Sequence, residues 1–156
     1  KKESWAILIG LLDNKPYEVF GGRTESYDLP DKFTEACLLK HPRKYEARYS
    51  LELKTPDGPT VVRDVVKTLS EPHYATLTRM ISMSLRHGVP LQYLVEQLQK
   101  NDDEGLQDLS KVIARVLKKY IPEGIRREGN CTECNQGSLI YQEGCLKCSS
   151  CGYSKC

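Results

Sequence analysis

Cys131-Thr132-Glu133-Cys134, then ten residues, then Cys145-Leu146-Lys147-Cys148-Ser149-Ser150-Cys151-Gly152-Tyr153-Ser154-Lys155-Cys156: this stretch holds six of the seven cysteines of a 156-residue chain. Two cysteines with two residues between them can present both sulfurs from one tight turn, and two such turns make a tetrahedral four-sulfur cage of the kind that holds zinc. Such a density of cysteines also arises in the disulfide frameworks of secreted mini-domains. The remaining chain is cysteine-poor and begins with no charged-then-apolar leader, so the pattern is read as a metal site with redox thiols beside it.

Six thiols exceed four positions. Ser138 to Gln142 reads as an extended leg, with Glu143-Gly144 at a hairpin turn. Both ends of a hairpin must return to one metal, so its legs should be of similar length. Cys134 lies nine residues before Glu143, whereas Cys145 follows it by two and Cys148 by five, which makes Cys148 the better match. Gly152 after Cys151 gives the permissive backbone that leaving a metal-binding turn requires. The expected ligands are therefore Cys131, Cys134, Cys148 and Cys151. The rival partition, with Cys145 in place of Cys151, satisfies the paired spacing equally and stays open. The first partition leaves Cys145 and Cys156 as a pair, the second Cys151 and Cys156. Surplus thiols beside a metal site, with Lys155 adjacent, suit thiol-disulfide exchange.

Moving outward, Ile121-Pro122-Glu123-Gly124 reads as a linker, which divides the chain into an α+β domain over 1–121 and a zinc ribbon with a redox tail over 122–156. Ser4 to Leu12, the turn Asp13-Asn14-Lys15-Pro16 and Tyr17 to Phe20 form an expected hairpin closed by Gly21-Gly22. Tyr45 to Lys54, Thr55-Pro56-Asp57-Gly58 and Thr60 to Val66 form a second. Four strands then make one half-buried antiparallel sheet. Three helices follow. The first opens on Ser70-Glu71-Pro72, buries Leu77, Met80, Ile81, Met83 and Leu85, and stops at Gly88. The second spans Leu91 to Leu98, with Asn101 to Glu104 as its acidic exit. The third runs from about Leu106 to Tyr120, with Leu109, Ile113, Val116 and Leu117 on one stripe. The fold class is thus α+β: antiparallel hairpins, three helices and a small C-terminal zinc ribbon. No internal repeat or low-complexity segment is visible.

The formal net charge is +2. From Pro122 onward four basic residues face four acidic ones, and a zinc ion on four thiolates would bring that segment to about −2. Affinity for nucleic acid comes mainly from neutralising phosphates, so the charge speaks against that partner. The longest apolar stretch, Trp5 to Leu12, is far too short to span a bilayer, so no membrane partner is expected and the protein should be cytoplasmic. A chain opening at Lys1, almost directly into a strand, reads as a piece of a longer polypeptide.

The tail Glu143 to Cys156, the helix text Thr78-Arg79-Met80-Ile81-Ser82-Met83-Ser84-Leu85-Arg86-His87-Gly88-Val89-Pro90, and Lys15-Pro16-Tyr17-Glu18-Val19-Phe20 resemble the C-terminal region of adenosylcobalamin-dependent (class II) ribonucleotide reductases. The resemblance implies an oxidoreductase that makes deoxyribonucleotides for DNA replication with a cysteine radical in a large barrel. A mobile C-terminal cysteine pair re-reduces the active-site disulfide, and thioredoxin or a similar reductant restores the tail. The implied cofactors are zinc here and adenosylcobalamin in the parent enzyme only; the implied partners are the parent's catalytic barrel and the reductant. In that family the terminal pair usually has four residues between its members, which favours Cys151 with Cys156. The barrel does not fit in 156 residues, so this chain alone should not reduce nucleotides. The competing class is a zinc-ribbon binding module that contacts nucleic acid or protein.

Other residues read as ordinary. Arg79 and Arg86 form a solvated helix face, His87 serves the helix end before Gly88, and His41 among Lys40, Arg43 and Lys44 is a loop residue. Cys37 is a partly buried small residue. No Gly-rich phosphate loop, serine elbow or carboxylate pair is seen.

Overall fold

The computed structural model describes residues 4–24, 29–30, 32–44, 48–69, 72–100 and 109–156. The expected cap at Ser70-Glu71, the acidic exit Asn101 to Glu104, the helix start at Leu106 and the strand start at Tyr45 lie outside them. The described elements are β1 (Trp5–Leu12), β2 (Lys15–Arg23), β3 (Glu35–Lys40), β4 (Tyr49–Thr55), β5 (Gly58–Val62), α1 (Val65–Leu69), α2 (Pro72–Arg86), α3 (Leu91–Leu98), α4 (Leu109–Leu117) with a 3₁₀ turn at Lys118–Tyr120, β6 (Arg126–Asn130), β7 (Ser138–Gln142), β8 (Cys145–Cys148) and β9 (Ser154–Lys155). The chain divides into two compact units, Lys1–Arg86 and His87–Cys156. The architecture is α+β.

In the first unit β1 and β2 are joined by Asp13 and Asn14, both at positive φ (50° and 61°). A two-residue turn with this backbone matches the twist of the flanking strands, and Asp and Asn tolerate it better than most residues. Gly21 and Gly22 do not close the hairpin; they lie within β2, opposite Ile7 and Ala6. The expected single sheet is instead two, β1-β2 and β3-β4-β5. The difference is β3, whose text Glu-Ala-Cys-Leu-Leu-Lys has no strand signal of its own and becomes a strand by pairing Ala36 with Leu53 and Leu38 with Leu51. Cys37, on the same strand, is exposed rather than partly buried. Gly10 is needed for close approach, since a Cβ there would sit 2.8 Å from Leu38 Cδ2.

The strand expected over Thr60 to Val66 ends at Val62, and Val65 begins α1. Asp64 decides this: its carboxylate accepts from the Lys67 N–H at 3.1 Å and its carbonyl from the Thr68 N–H at 3.0 Å. That cap overrides the β-branched run. Among the described residues there are accordingly four helices where three were expected. The core gathers Phe20, Tyr49, Leu51, Leu53, Val65 and Leu69.

Helix α2 packs on β2 with Thr78, Ile81 and Ser82 buried, while Met80 and Met83 of the expected apolar stripe are exposed. The reason is β2's second edge. Ser82 Oγ accepts from the Val19 N–H at 2.9 Å and donates to the Val19 carbonyl at 3.3 Å, so the helix presents a hydroxyl where strand backbone needs partners. Glu18 is also buried and accepts from the Tyr49 hydroxyl and the Arg86 guanidinium, with Lys40 Nζ at 3.9 Å. Arg86 is exposed, as expected, and is also an ion-pair partner of a buried carboxylate. Burial and the Glu18 contact push the Tyr49 hydroxyl's pKa well up, keeping it a donor. His41 also has a specific contact, with Ser50 Oγ at 2.8 Å.

In the second unit α3 and α4 pack through Val95, Leu98, Leu109, Ile113, Ala114 and Leu117. The last three strands of the antiparallel sheet β6-β7-β8-β9 follow one another as hairpin legs, and Leu139, Tyr141 and Leu146 fill its inner face. No helix among the described residues is long and apolar enough to cross a membrane.

Removing the Glu18 carboxylate leaves Arg86 and Tyr49 without their acceptor. Glu18→Ala is expected to lower unfolding free energy by about 2 kcal/mol, read as the urea midpoint at unchanged slope.

Candidate metal centre and adjoining disulfide

The hairpin β7-β8 turns at Glu143 and Gly144, both at positive φ, and pairs Gln142 with Cys145 and Leu139 with Cys148. Successive side chains of a strand point to opposite faces. Cys145 and Cys148 are three residues apart on β8 and so face opposite ways: Cys148 is buried with Leu146, and Cys145 lies on the other side with Lys147. No single ion can take both while β8 is intact.

Cys148 meets Cys131, Cys134 and Cys151, and the four sulfurs all lie within 4.8 Å of one another. Cys131 and Cys151 sulfurs are 3.7 Å apart, as are those of Cys134 and Cys148. A tetrahedron of sulfurs around zinc, with Zn–S near 2.3 Å, has edges of about 3.8 Å. The donor set and its size both fit one such ion. Each paired turn is built to stabilise sulfur charge. The Glu133 N–H points at Cys131 Sγ and the Gly137 N–H at Cys134 Sγ, both at 3.4 Å. The N–H groups of Ser150 and Cys151 point at Cys148 Sγ at 3.4 and 3.5 Å. Backbone bonds close the turns, from Cys131 N–H to Gly137 at 2.8 Å and from Cys148 N–H to Tyr153 at 2.7 Å, with Gly152 at φ 74°.

These donors pull the Cys148 thiol down to about 6, the Cys151 N–H contributing most and Ser150 next. The Gln136 and Gly137 N–H groups likewise lower Cys134. Cys151 gains from the Tyr153 N–H, yet burial and the three neighbouring sulfurs push it up to about 12. Thiols this close cannot all ionise unaided, because each added negative charge raises the cost of the next. A divalent cation removes that penalty, which is the chemistry this donor set invites.

The other two cysteines are joined. Leu146 pairs with Lys155 and Lys147 with Ser154 across β8 and β9, and the same register carried one residue further sets Cys145 opposite Cys156. They form a disulfide with Cα atoms 4.3 Å apart. Cys156 is exposed and Cys145 partly so. Lys118, which the sequence gave no reason to single out, is buried and donates from Nζ to the main-chain oxygen of Cys156 at 2.7 Å. Its position in the α4 stripe, one residue after Leu117, was the only local signal.

The fold and the site together define an α+β protein whose second unit carries four cysteines positioned to hold a metal ion and a neighbouring disulfide. A family model described as the NrdJ homologue C-terminal domain matches residues 1–122, and the chain belongs to that family. The membership relates it to class II ribonucleotide reductase; the cysteine-rich segment follows the matched residues. No curated protein matches the chain, and no solved structure does.

Gly137 is the tightest point of the cluster, because a Cβ there would overlap Cys148 Sγ and come within 2.9 Å of the Ser150 side chain. Gly137→Ala is expected to cut metal retained through gel filtration at least severalfold, measured as metal per chain by mass spectrometry, while the helices keep their far-ultraviolet signal.

Proposed function

We propose that this chain is the C-terminal region of a ribonucleotide reductase large chain, carrying a structural zinc and a disulfide relay from a thioredoxin-like dithiol to the active-site disulfide. The observation that carries the reading is the division of labour among six cysteines. Four close on one another around a common centre, and the fifth and sixth are bonded on the opposite face, at the chain's outermost strand. A four-thiolate zinc site has no open position for substrate, so exchange chemistry falls to Cys145 and Cys156. Adenosylcobalamin would belong to the parent's barrel, and none of these residues is assigned to it. The division into 1–121 and 122–156 follows the same logic, with the family domain first and the cysteine ribbon after it.

The relay balances as two exchanges. A thiolate of the reductant attacks Sγ of Cys156, the more exposed residue of the pair; the Cys145–Cys156 bond breaks and Cys145 leaves as thiolate. The reductant's second thiol resolves the mixed disulfide, so the reductant is oxidised by two electrons and its two protons end on Cys145 and Cys156. The freed tail then attacks the active-site disulfide through Cys156, and Cys145 resolves that bond, restoring the pair seen here. Strand β9 is only two residues long and its side chains are exposed, so little packing holds the tail once the disulfide opens.

Cys151→Ser is expected to lose zinc and Cys145→Ser to keep one zinc per chain; the opposite outcome gives the site to the rival ligand set.

In the full-length parent, Cys156→Ser should cut thioredoxin-driven turnover by at least tenfold and leave zinc content unchanged. Turnover driven by a small dithiol that reaches the barrel directly should persist. Thioredoxin-driven turnover at the original rate would remove Cys156 from the relay.

A further inference from the structure

A concave site lies in the His87–Cys156 unit, on the side of the ribbon that carries β9. The cleft is about 630 Å³ and is bordered by Lys100, Lys111, Arg115, Lys118, Arg127 and Lys155, with Leu146 and Cys156 in its wall. Among the described residues of that lining the acidic one is Glu96, paired with Arg127 at 3.4 Å. Lys111, Arg115 and Lys118 follow one another at helical spacing along α4 and its 3₁₀ extension, so they stand on one face. Like charges at such spacing repel. Lys118 shows the strain of the arrangement: burial first, then the charges of Lys155, Arg127 and Arg115, lower its pKa.

We propose that this cleft binds a compact polyanion bearing two or more phosphate groups, and that the Cys145–Cys156 disulfide holds one wall of the site in place. The volume is that of a nucleotide-sized ligand site, and the cations surround a concavity instead of spreading over a flat face. Lysine and arginine in this number supply the charge-assisted bonds that phosphate oxygens require. Lys155 and Cys156 reach the cleft only through β9, which the disulfide pins to β8. Opening the bond frees one cation and the Cys156 main-chain oxygen that occupies Lys118. Anion affinity and redox state are therefore coupled, and by reciprocity the anion shifts the midpoint of the cysteine pair. This goes beyond the relay reading and does not require it, since it needs only the disulfide and the cations around it.

The test uses the zinc-loaded 156-residue chain in its disulfide form. Inorganic pyrophosphate and ADP are titrated by calorimetry at constant ionic strength, with sodium chloride and a single-stranded oligonucleotide as the other arms. Saturable one-to-one binding of pyrophosphate or ADP is expected, weakened about tenfold by Arg115→Ala or Lys155→Ala, both surface changes, and further by Lys118→Met. Dithiothreitol, whose oxidation to a cyclic disulfide supplies the two electrons and two protons that open Cys145–Cys156, should change the affinity severalfold; Cys156→Ser should remove that response. Heat signals no larger or more saturable than those of sodium chloride would overturn the site. Affinity unaltered by either surface variant would also overturn it. Preferential binding of the oligonucleotide with a steep salt dependence would assign the surface to nucleic acid and overturn the compact-ligand reading. Equal affinity before and after reduction would overturn the coupling. A relay failure in the parent enzyme leaves each of these readouts intact, so the two readings fail separately.

Discussion

A β-strand shows its residues alternately to its two faces, and β8 has only four residues in which to sort its cysteines. Because Leu139 pairs with Cys148 and Gln142 with Cys145, Cys148 turns inward to the cluster and Cys145 outward to Cys156. A slip of one residue in that pairing would exchange the faces and offer the wrong sulfur to both partners. The Glu143-Gly144 turn fixes the register, so a four-sulfur cluster and a disulfide sit back to back without competing for thiols. The second of the turns that donate N–H groups to sulfur depends on this placement as well, since it begins at Cys148 itself.

In the first unit a buried carboxylate performs a comparable sorting. Glu18 lies on β2, Tyr49 on β4 and Arg86 at the end of α2, so their mutual bonds tie both sheets and the helix to one point. An ion pair of this kind adds little net stability compared with an apolar equivalent, because desolvation offsets the attraction. Its strength is in what it forbids: any other seating of α2 on β2 would strand the carboxylate. Ser82 acts in the same direction by meeting both backbone groups of Val19.

The second unit also separates charge from chemistry. The cluster gathers four sulfurs, while the cations of α4, β6 and β9 line the cleft that Cys156 borders. Counted along the tail alone, basic and acidic residues cancel, and that neutrality argued against nucleic acid as a partner. A count along the tail leaves out Lys111, Arg115 and Lys118, which come from α4 and its 3₁₀ turn.

What the sequence determined by itself was local. Cysteine spacing, the Glu143-Gly144 and Asp13-Asn14 turns, the Leu91 to Leu98 helix and the Leu109, Ile113, Leu117 stripe each rest on contacts within a few residues, where propensity and periodicity decide. The family likeness was legible for the same reason, being carried by contiguous text. Tertiary structure decided whatever depends on a distant partner. Glu35 to Lys40 is a strand only because β4 lies beside it, Met80 and Met83 face outward because β2 needed the hydroxyl of Ser82, and Lys118 is buried against Cys156, 38 residues away. Which thiols close together and which form the outer bond was set at the boundary between these regimes: the spacing allowed two answers, and strand register chose one, because a side chain's face is fixed by the strand it pairs with and not by its neighbours in sequence.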